Sequence, residues 1–236
     1  MPVFLLSDEI VFPSPLFAGE NGLLAIGGDL SMERLLLAYR MGIFPWYSEN
    51  EPILWWSPDP RLVLFPSRIH ISRNLRRVLK KRMFQITMDS DFRGVITSCS
   101  RIRLEKGQET WIDRKMIEAY CALHEAGYAH SVEIRKDGQL CGGLYGVSLG
   151  GCFFGESMFS RIGNASKIAL ACLVQYLTTK SFIMIDCQTT TRHLVRMGAQ
   201  HVPRSLFLSL LQKAMDLPNI TSKWEYDSEM NPERSI

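Results

Sequence analysis

Hydrophobic positions fall into two regimes along this chain. Up to about residue 60 they come in short bursts broken by glycine, proline and aromatic residues, as in NGLLAIGGDLS, GIFPWYSENEP and ILWWSPDPR. One stretch there keeps a helical period: Leu35, Leu36, Ala38 and Tyr39 form an apolar face, Asp29 or Ser31 can cap it, and Gly42 ends it. Prolines 52, 58 and 60 mark a boundary, so residues 1–60 read as a small aromatic-rich domain and residues 61–236 as a larger one.

From Arg61 the pattern alternates. RLVLF (61–65) predicts a strand, Ser72 caps a basic helix reaching Arg82, and FQITM predicts a second strand. A helix from Arg114 to Glu125 is closed by Gly127. HSVEIRKDGQLCGGLYGV reads as a hairpin with Asp137-Gly138 at its turn, followed by a strand in GGCFFGESMF. Asn164 opens a long, mostly apolar helix to about Lys180. FIMID is continuously apolar, as in a strand buried on both faces. A last helix near Leu206–Met215 precedes a polar tail that the pattern predicts to be loose. The fold class expected is α+β: a small N-terminal domain, then a mixed sheet with helices on both faces.

Bulk composition narrows this only a little. At 46% hydrophobic and 22% charged residues the chain is an ordinary globular one. The N-terminus lacks a basic segment and a long apolar core, and no window approaches the roughly 18 uninterrupted apolar residues of a membrane helix. A soluble protein with no membrane partner is expected. The six cysteines are scattered without a C-x-x-C pair. That spacing argues against a disulfide framework and against zinc, and favours small buried hydrophobes in a reducing cytoplasm. Cys187 differs in having polar neighbours.

Charge is more informative. The net value is +3, yet the segment 61–82 holds eight Lys/Arg and no acid, leaving 19 basic against 24 acidic residues elsewhere. Segregation of this kind points to a polyanionic partner. Within it, Arg73, Arg76, Arg77, Lys80 and Lys81 share one helix face, while Leu75, Val78 and Leu79 form another. Like charges so spaced cost roughly 0.2–0.5 kcal/mol per pair. The stripe is either a solvated face or a grip on RNA backbone.

Polar residues also interrupt the apolar strands. Glu156 follows Phe153-Phe154-Gly155, and Asp186 and Gln188 follow Phe182–Ile185. Residues two apart in a strand point to the same side, so Asp186 and Gln188 can face one pocket at a strand's C-terminal end. The other reading is a set of structural hydrogen bonds, since a buried carboxylate without a partner is costly. Trp46, Trp55, Trp56 and Trp111 are either core or stacking surfaces for a base. The chain has no Gly-rich phosphate loop, no G-x-S-x-G and no metal-ligand spacing among its histidines.

The strings GLLAIGGDLS, GIFPWYS, ILWWSPDPR, GGLYGV, FFGESMFSR, NASKIAL and IDCQ, spread in order from residue 22 to 188, together closely resemble the leucyl/phenylalanyl-tRNA–protein transferases. The resemblance implies a small N-terminal domain on a domain of the N-acetyltransferase (GNAT-like) superfamily. It implies transfer of leucine or phenylalanine, and also methionine, from aminoacyl-tRNA to proteins beginning with Lys or Arg, marking them for degradation by the N-end rule. No cofactor, metal or ATP is implied. Gln188 would contact the attacking amine, Asp186 would orient and polarise it, and Glu156 would line the acceptor or adenosine site. Candidates for the aminoacyl pocket are Leu144, Phe153, Gly155, Met158, Leu173, Leu177 and Ile185. Trp46 and Trp111 match positions near the terminal adenosine, and the basic stripe matches the acceptor-arm contact region.

Two features depart from related patterns. Thr191 stands where some members carry Asn, and it can instead cap the following helix. The segment RIGNASK lacks the R/Q-x-x-G-x-G/A signature that binds acetyl-CoA phosphates. An acetyl-CoA-dependent N-acyltransferase would leave the basic stripe idle, and a non-catalytic RNA-binding module would leave Glu156, Asp186 and Gln188 idle. Arginyl transfer would need an acid in the pocket where these candidates are apolar.

Overall fold

The computed structural model describes residues 3–48 and 51–227. A four-stranded sheet takes its strands from the first sixty residues: β1 (Phe4–Leu6), β2 (Leu23–Gly27), β3 (Phe44–Pro45) and β4 (Leu54–Trp56), in the order β1-β2-β4-β3. Helix α1 (Met32–Arg40) lies between β2 and β3. Its entry is fixed by Asp29, which accepts the Ser31 backbone N–H at 2.7 Å and pairs with Arg34 at 3.3 Å, while the Ser31 hydroxyl makes no cap bond. Leu35, Ala38 and Tyr39 are fully buried, so the apolar face points inward as its period requires.

The second sheet has seven strands. They are β5 (Arg61–Leu64), β6 (Gln85–Met88), β7 (Ala129–Lys136), β8 (Gln139–Leu149), β9 (Cys152–Ser160), β10 (Met184–Gln188) and β11 (Gln200–Val202), ordered β11-β5-β10-β9-β8-β7-β6. Every pairing is antiparallel except β9 with β10. That parallel pair needs a crossover, supplied by α5 (Ala165–Thr179), whose side chains from Ile168 to Leu177 are all buried. A helix apolar on all sides belongs in a core, and α5 fills one face of the sheet together with α2 (Arg73–Lys80). The opposite face is covered by α3 (Phe92–Glu105), α4 (Arg114–Glu125) and α7 (Arg204–Met215), with α1 packed against α4 and α7. A short helix, α6 (Arg192–Arg196), follows β10. The mixed sheet with helices on both faces is thus the expected arrangement.

Local chemistry explains the joints. Ser72 caps α2 through the Leu75 N–H, and Asp113 caps α4 through the Met116 N–H. Asp137 and Gly138 both have positive φ (51° and 77°), which suits a two-residue hairpin turn between Lys136 and Gln139. Helix α3 has little helical signal in its sequence, being rich in β-branched Val95, Ile96, Thr97 and Ile102; Asp91 starts it by accepting the Gly94 N–H. All six cysteines are buried and none is in a disulfide. No helix among the described residues is long and apolar enough to cross a membrane.

The tail corrects an expectation. Residues 217–227 are docked rather than loose. Asn219 accepts the Gly150 N–H at 2.7 Å, and Trp224 is fully buried. The Trp224 backbone N–H donates to Asp89 at 2.7 Å, and its ring stacks on His130 with 3.9 Å between centroids. Gly127 has φ 80° and backs directly onto the tail, where a Cβ would meet the Thr221 carbonyl at 2.1 Å. The last nine residues of the expected tail, 228–236, lie outside the described residues. We predict that Trp224→Ala costs about 3–5 kcal/mol of stability in denaturant titration, the scale of losing a buried aromatic. An unchanged midpoint would show that the docked tail contributes nothing to the fold.

Candidate active site

Strands β9 and β10 pair only from Cys152↔Met184 to Phe154↔Asp186. Beyond Phe154, β9 continues alongside β8, while β10 stays with β5. The two strands therefore part, and a cavity of about 330 Å³ opens at their divergence. Both strands carry a bulge at this point. Tyr145 faces Ser157 while Gly146 faces Gly155, so Glu156 is the extra residue of β9; Asp186 faces Val63 while Gln188 faces Leu62, so Cys187 is the extra residue of β10. A bulge re-aims side chains beside it. Gly146 permits the first one, since a Cβ there would lie 2.1 Å from the Phe154 carbonyl oxygen.

Six of the pocket candidates line this cavity: Leu144, Phe153, Gly155, Met158, Leu173 and Ile185. Leu177 does not. It is one turn further along α5, buried in the core. Trp46 and Trp111 line the cavity mouth, their rings edge-on at 6.1 Å. Trp55 is core, and Trp56 packs on Trp46. The basic stripe is elsewhere, on α2: Arg73, Arg77, Lys80 and Lys81 are exposed, and Arg76 is half-buried with its Nε donating to the Ile71 carbonyl. Thr191 serves two purposes, capping α6 through the Leu194 N–H at 3.2 Å and lining the cavity. His193 lines it too, and burial, assisted by Lys167, holds its imidazole below the usual range.

Glu156 is the centre of the polar wall. Tyr39 from α1 donates to its Oε1 at 2.8 Å, Tyr120 from α4 to its Oε2 at 3.1 Å, and the Gln188 amide Nε2 to Oε1 at 2.6 Å. The two tyrosine hydroxyls also bond to each other. Burial pushes the carboxyl up to about 7, outweighing the three donors that lower it. The same burial, with Glu156 alongside, drives both phenols well above their ordinary value.

Asp186 is not in the cavity wall. Its carboxylate is fully buried and receives Arg61 in a two-pronged pair, Nε to Oδ1 at 2.8 Å and Nη2 to Oδ2 at 2.7 Å. The guanidinium is sandwiched between Phe44 and Phe207, 4.7 and 4.6 Å from their centroids. Arg61 is therefore neutralised internally, and only the rest of the basic run can face a polyanion. Asp186 Oδ1 also accepts the Gln188 backbone N–H at 2.9 Å. Gln188 has φ 60°, a conformation costing roughly 1–3 kcal/mol for a residue with a side chain. The Arg61–Asp186 pair holds that backbone, and the backbone aims the Gln188 amide at Glu156. Asp186 and Gln188 do not face one pocket as period-two spacing predicts: the bulge at Cys187 lies between them, and only Gln188 lines the cavity, so the two act in series. Tyr39, Tyr120 and Arg61 have no periodic signal that would mark them beforehand.

The chain matches the model of the family described as "Leucyl/phenylalanyl-tRNA protein transferase" over residues 63–212, and that of the family's N-terminal domain over residues 28–59. The chain belongs to this family. Leucyl/phenylalanyl-tRNA–protein transferases of Desulfatibacillum aliphaticivorans and Syntrophobacter fumaroxidans are each 55% identical to it, over 97% of this chain and 98% and 97% of their own lengths. That of Myxococcus xanthus is 50% identical over 98% of this chain and all of its own. These relatives are aminoacyltransferases by name, and this chain is an enzyme of that kind. Among solved structures, L-PGS from Bacillus licheniformis superposes with a TM-score of 0.42 at 10% identity, covering 72% of this chain and 54% of that one. A GCN5-related N-acetyltransferase-like protein from Streptococcus suis gives 0.36 at 11% identity, covering 75% and 68%. Scores this low leave the fold to be read from the sheet itself.

The raised Glu156 value links pH to stability. The folded carboxyl holds its proton up to about pH 7, the unfolded one only to about 4.5, so folding binds a proton between these limits. Glu156 therefore favours folding most below pH 4.5, and its contribution is lost as pH rises toward 7. We predict that the stability of wild type relative to Glu156→Gln falls by about 3 kcal/mol across that window, read by urea denaturation at several pH values. A difference constant with pH would mean the carboxyl is not shifted.

Proposed function

We propose that this transferase moves leucine or phenylalanine, and also methionine, from aminoacyl-tRNA to the α-amine of proteins beginning with Lys or Arg, marking them for N-end-rule degradation in the cytoplasm. The observation that carries the reading is the pairing of Gln188 with Glu156 in the polar wall of a cavity otherwise lined by Met158, Leu144 and Leu173. Residues 1–60 contribute Tyr39, Phe44, Pro45 and Trp46 to this site, and residues 61–236 the remainder.

The reaction is aminolysis of an ester that is already activated, so it needs neither ATP nor a metal. The enzyme must orient two substrates and help a proton leave the amine. An α-amine has a pKa of about 7.7–8.0, so a fraction is neutral near pH 7. In this reading the Gln188 amide, with Nε2 held by Glu156, turns its oxygen toward the amine as acceptor. Asp186 is a positioning residue acting through the Gln188 backbone. Glu156, poised near neutrality, takes on negative charge as a cationic N-terminal residue approaches. A cavity walled by Met, Leu and Phe side chains admits side chains unbranched at Cβ, with shape discrimination of roughly 1–3 kcal/mol per methylene. Trp46 and Trp111 offer stacking surfaces for the terminal adenosine, and the exposed α2 stripe a contact for the acceptor arm.

The test is transfer of labelled leucine from charged tRNA to peptides beginning with Arg, Asp or Ala, without ATP or acetyl-CoA. Labelling of the Arg peptide alone is expected, with Gln188→Ala lowering kcat/KM by roughly a hundredfold, the lower range for losing a positioned proton acceptor. Labelling of the Asp peptide, or of none, would overturn the acceptor assignment.

A further inference from the structure

Arg103 is a cation without a counter-charge in the wall of the cavity. It comes from α3, and its guanidinium lies flat on Trp111, 4.1 Å from the ring centroid. Both residues line the cavity. The two fully buried arginines are answered by carboxylates, Arg34 by Asp29 and Arg61 by Asp186. Among the described residues the Arg103 side chain makes no hydrogen bond and no ion pair, although the residue is half-buried. A stacked guanidinium keeps its plane fixed and its edge donors available, a geometry that suits phosphate oxygens.

The cavity wall around it supports this direction. Tyr145, on the same side of the sheet, is fully buried, lines the cavity, and its hydroxyl has no partner. The other side of the sheet contributes Leu144, Phe153, Leu173 and Ile185, which offer no side-chain hydrogen-bonding group. Arg103 and Tyr145 therefore present unanswered polar groups opposite this hydrocarbon, while His193, whose Nε2 also has no partner, lines the cavity from α6. A ligand with an oxygen-rich end and an apolar end fits with the former toward Arg103 and the latter toward Leu144, Phe153, Leu173 and Ile185.

We propose that Arg103 binds the phosphate on the 5′ side of the donor RNA's terminal nucleotide, and thereby points the esterified amino acid toward the apolar wall. This rests on the aminoacyl-tRNA reading above. The experiment is inhibition of leucine transfer from leucyl-tRNA by adenosine and by adenosine 5′-monophosphate, in wild type, Arg103→Met and Arg103→Lys. Wild type should be inhibited by the monophosphate at about tenfold lower concentration than by adenosine, the scale of a charge-assisted hydrogen bond. Arg103→Met should abolish that ratio while adenosine inhibits as before, and Arg103→Lys should restore part of it. Equal inhibition of wild type by both compounds, or a ratio that survives in Arg103→Met, would overturn the phosphate site. So would a loss of inhibition by both compounds alike in Arg103→Met, which would mean a damaged stacking surface. A wild type that transfers no leucine at all would overturn the functional reading instead, so the two failures are distinguishable.

Discussion

The Glu156 carboxyl ties together parts of the chain that have little else in common. Tyr39 reaches it from the N-terminal helix, Tyr120 from α4 and Gln188 from the end of β10. A carboxyl group this deeply buried survives only if its hydrogen bonds are complete, because an unsatisfied polar group in the interior costs about 1–3 kcal/mol and an unpaired charge more. The requirement works in both directions. The three donors hold the carboxyl in place, and the carboxyl fixes where the N-terminal helix sits on the large sheet. Burial raises the carboxyl to about 7, so its charge changes readily near neutral pH.

A second buried unit supports the first from behind. Arg61 and Asp186 neutralise each other between two phenylalanine rings, and Asp186 then holds the Gln188 N–H in a left-handed backbone conformation. Buried ion pairs are weak sources of stability but strong sources of specificity, since either partner alone would be an uncompensated charge. Here the specificity is positional, because the pair sets the direction of the amide that meets Glu156. The parting of β9 from β10 then leaves room for a substrate between an apolar wall and a polar one. Aminolysis of an activated ester asks for little beyond such orientation.

What the sequence makes visible follows from the range of each interaction. The Asp137-Gly138 turn, the all-apolar α5 and the FIMID strand are set by neighbouring residues, so local pattern suffices. Glu156 and Gln188 stand out because polar residues interrupt buried strands. Tyr39 and Tyr120 do not, since each looks like an ordinary core aromatic and meets Glu156 only across separations of 117 and 36 positions along the chain. Arg61 reads as part of a basic surface run, and only the sheet reveals that it is sealed against Asp186. The bulges at Glu156 and Cys187 displace side chains by a single residue, which no hydrophobic period records. The tail fails for a related reason: one buried Trp224 among polar neighbours outweighs the composition around it.

Glu156 Oε1 accepts from both Tyr39 and Gln188 and so couples the tyrosine to the amide. A double-mutant cycle on leucine transfer tests it directly, with Tyr39→Phe, Gln188→Ala and the pair compared by kcat/KM. The two effects should not be additive, with an interaction of about 0.5–3 kcal/mol, as for residues sharing one hydrogen-bonded network. Strict additivity would contradict it, and would mean that the tyrosine and the amide reach Glu156 without communicating through it.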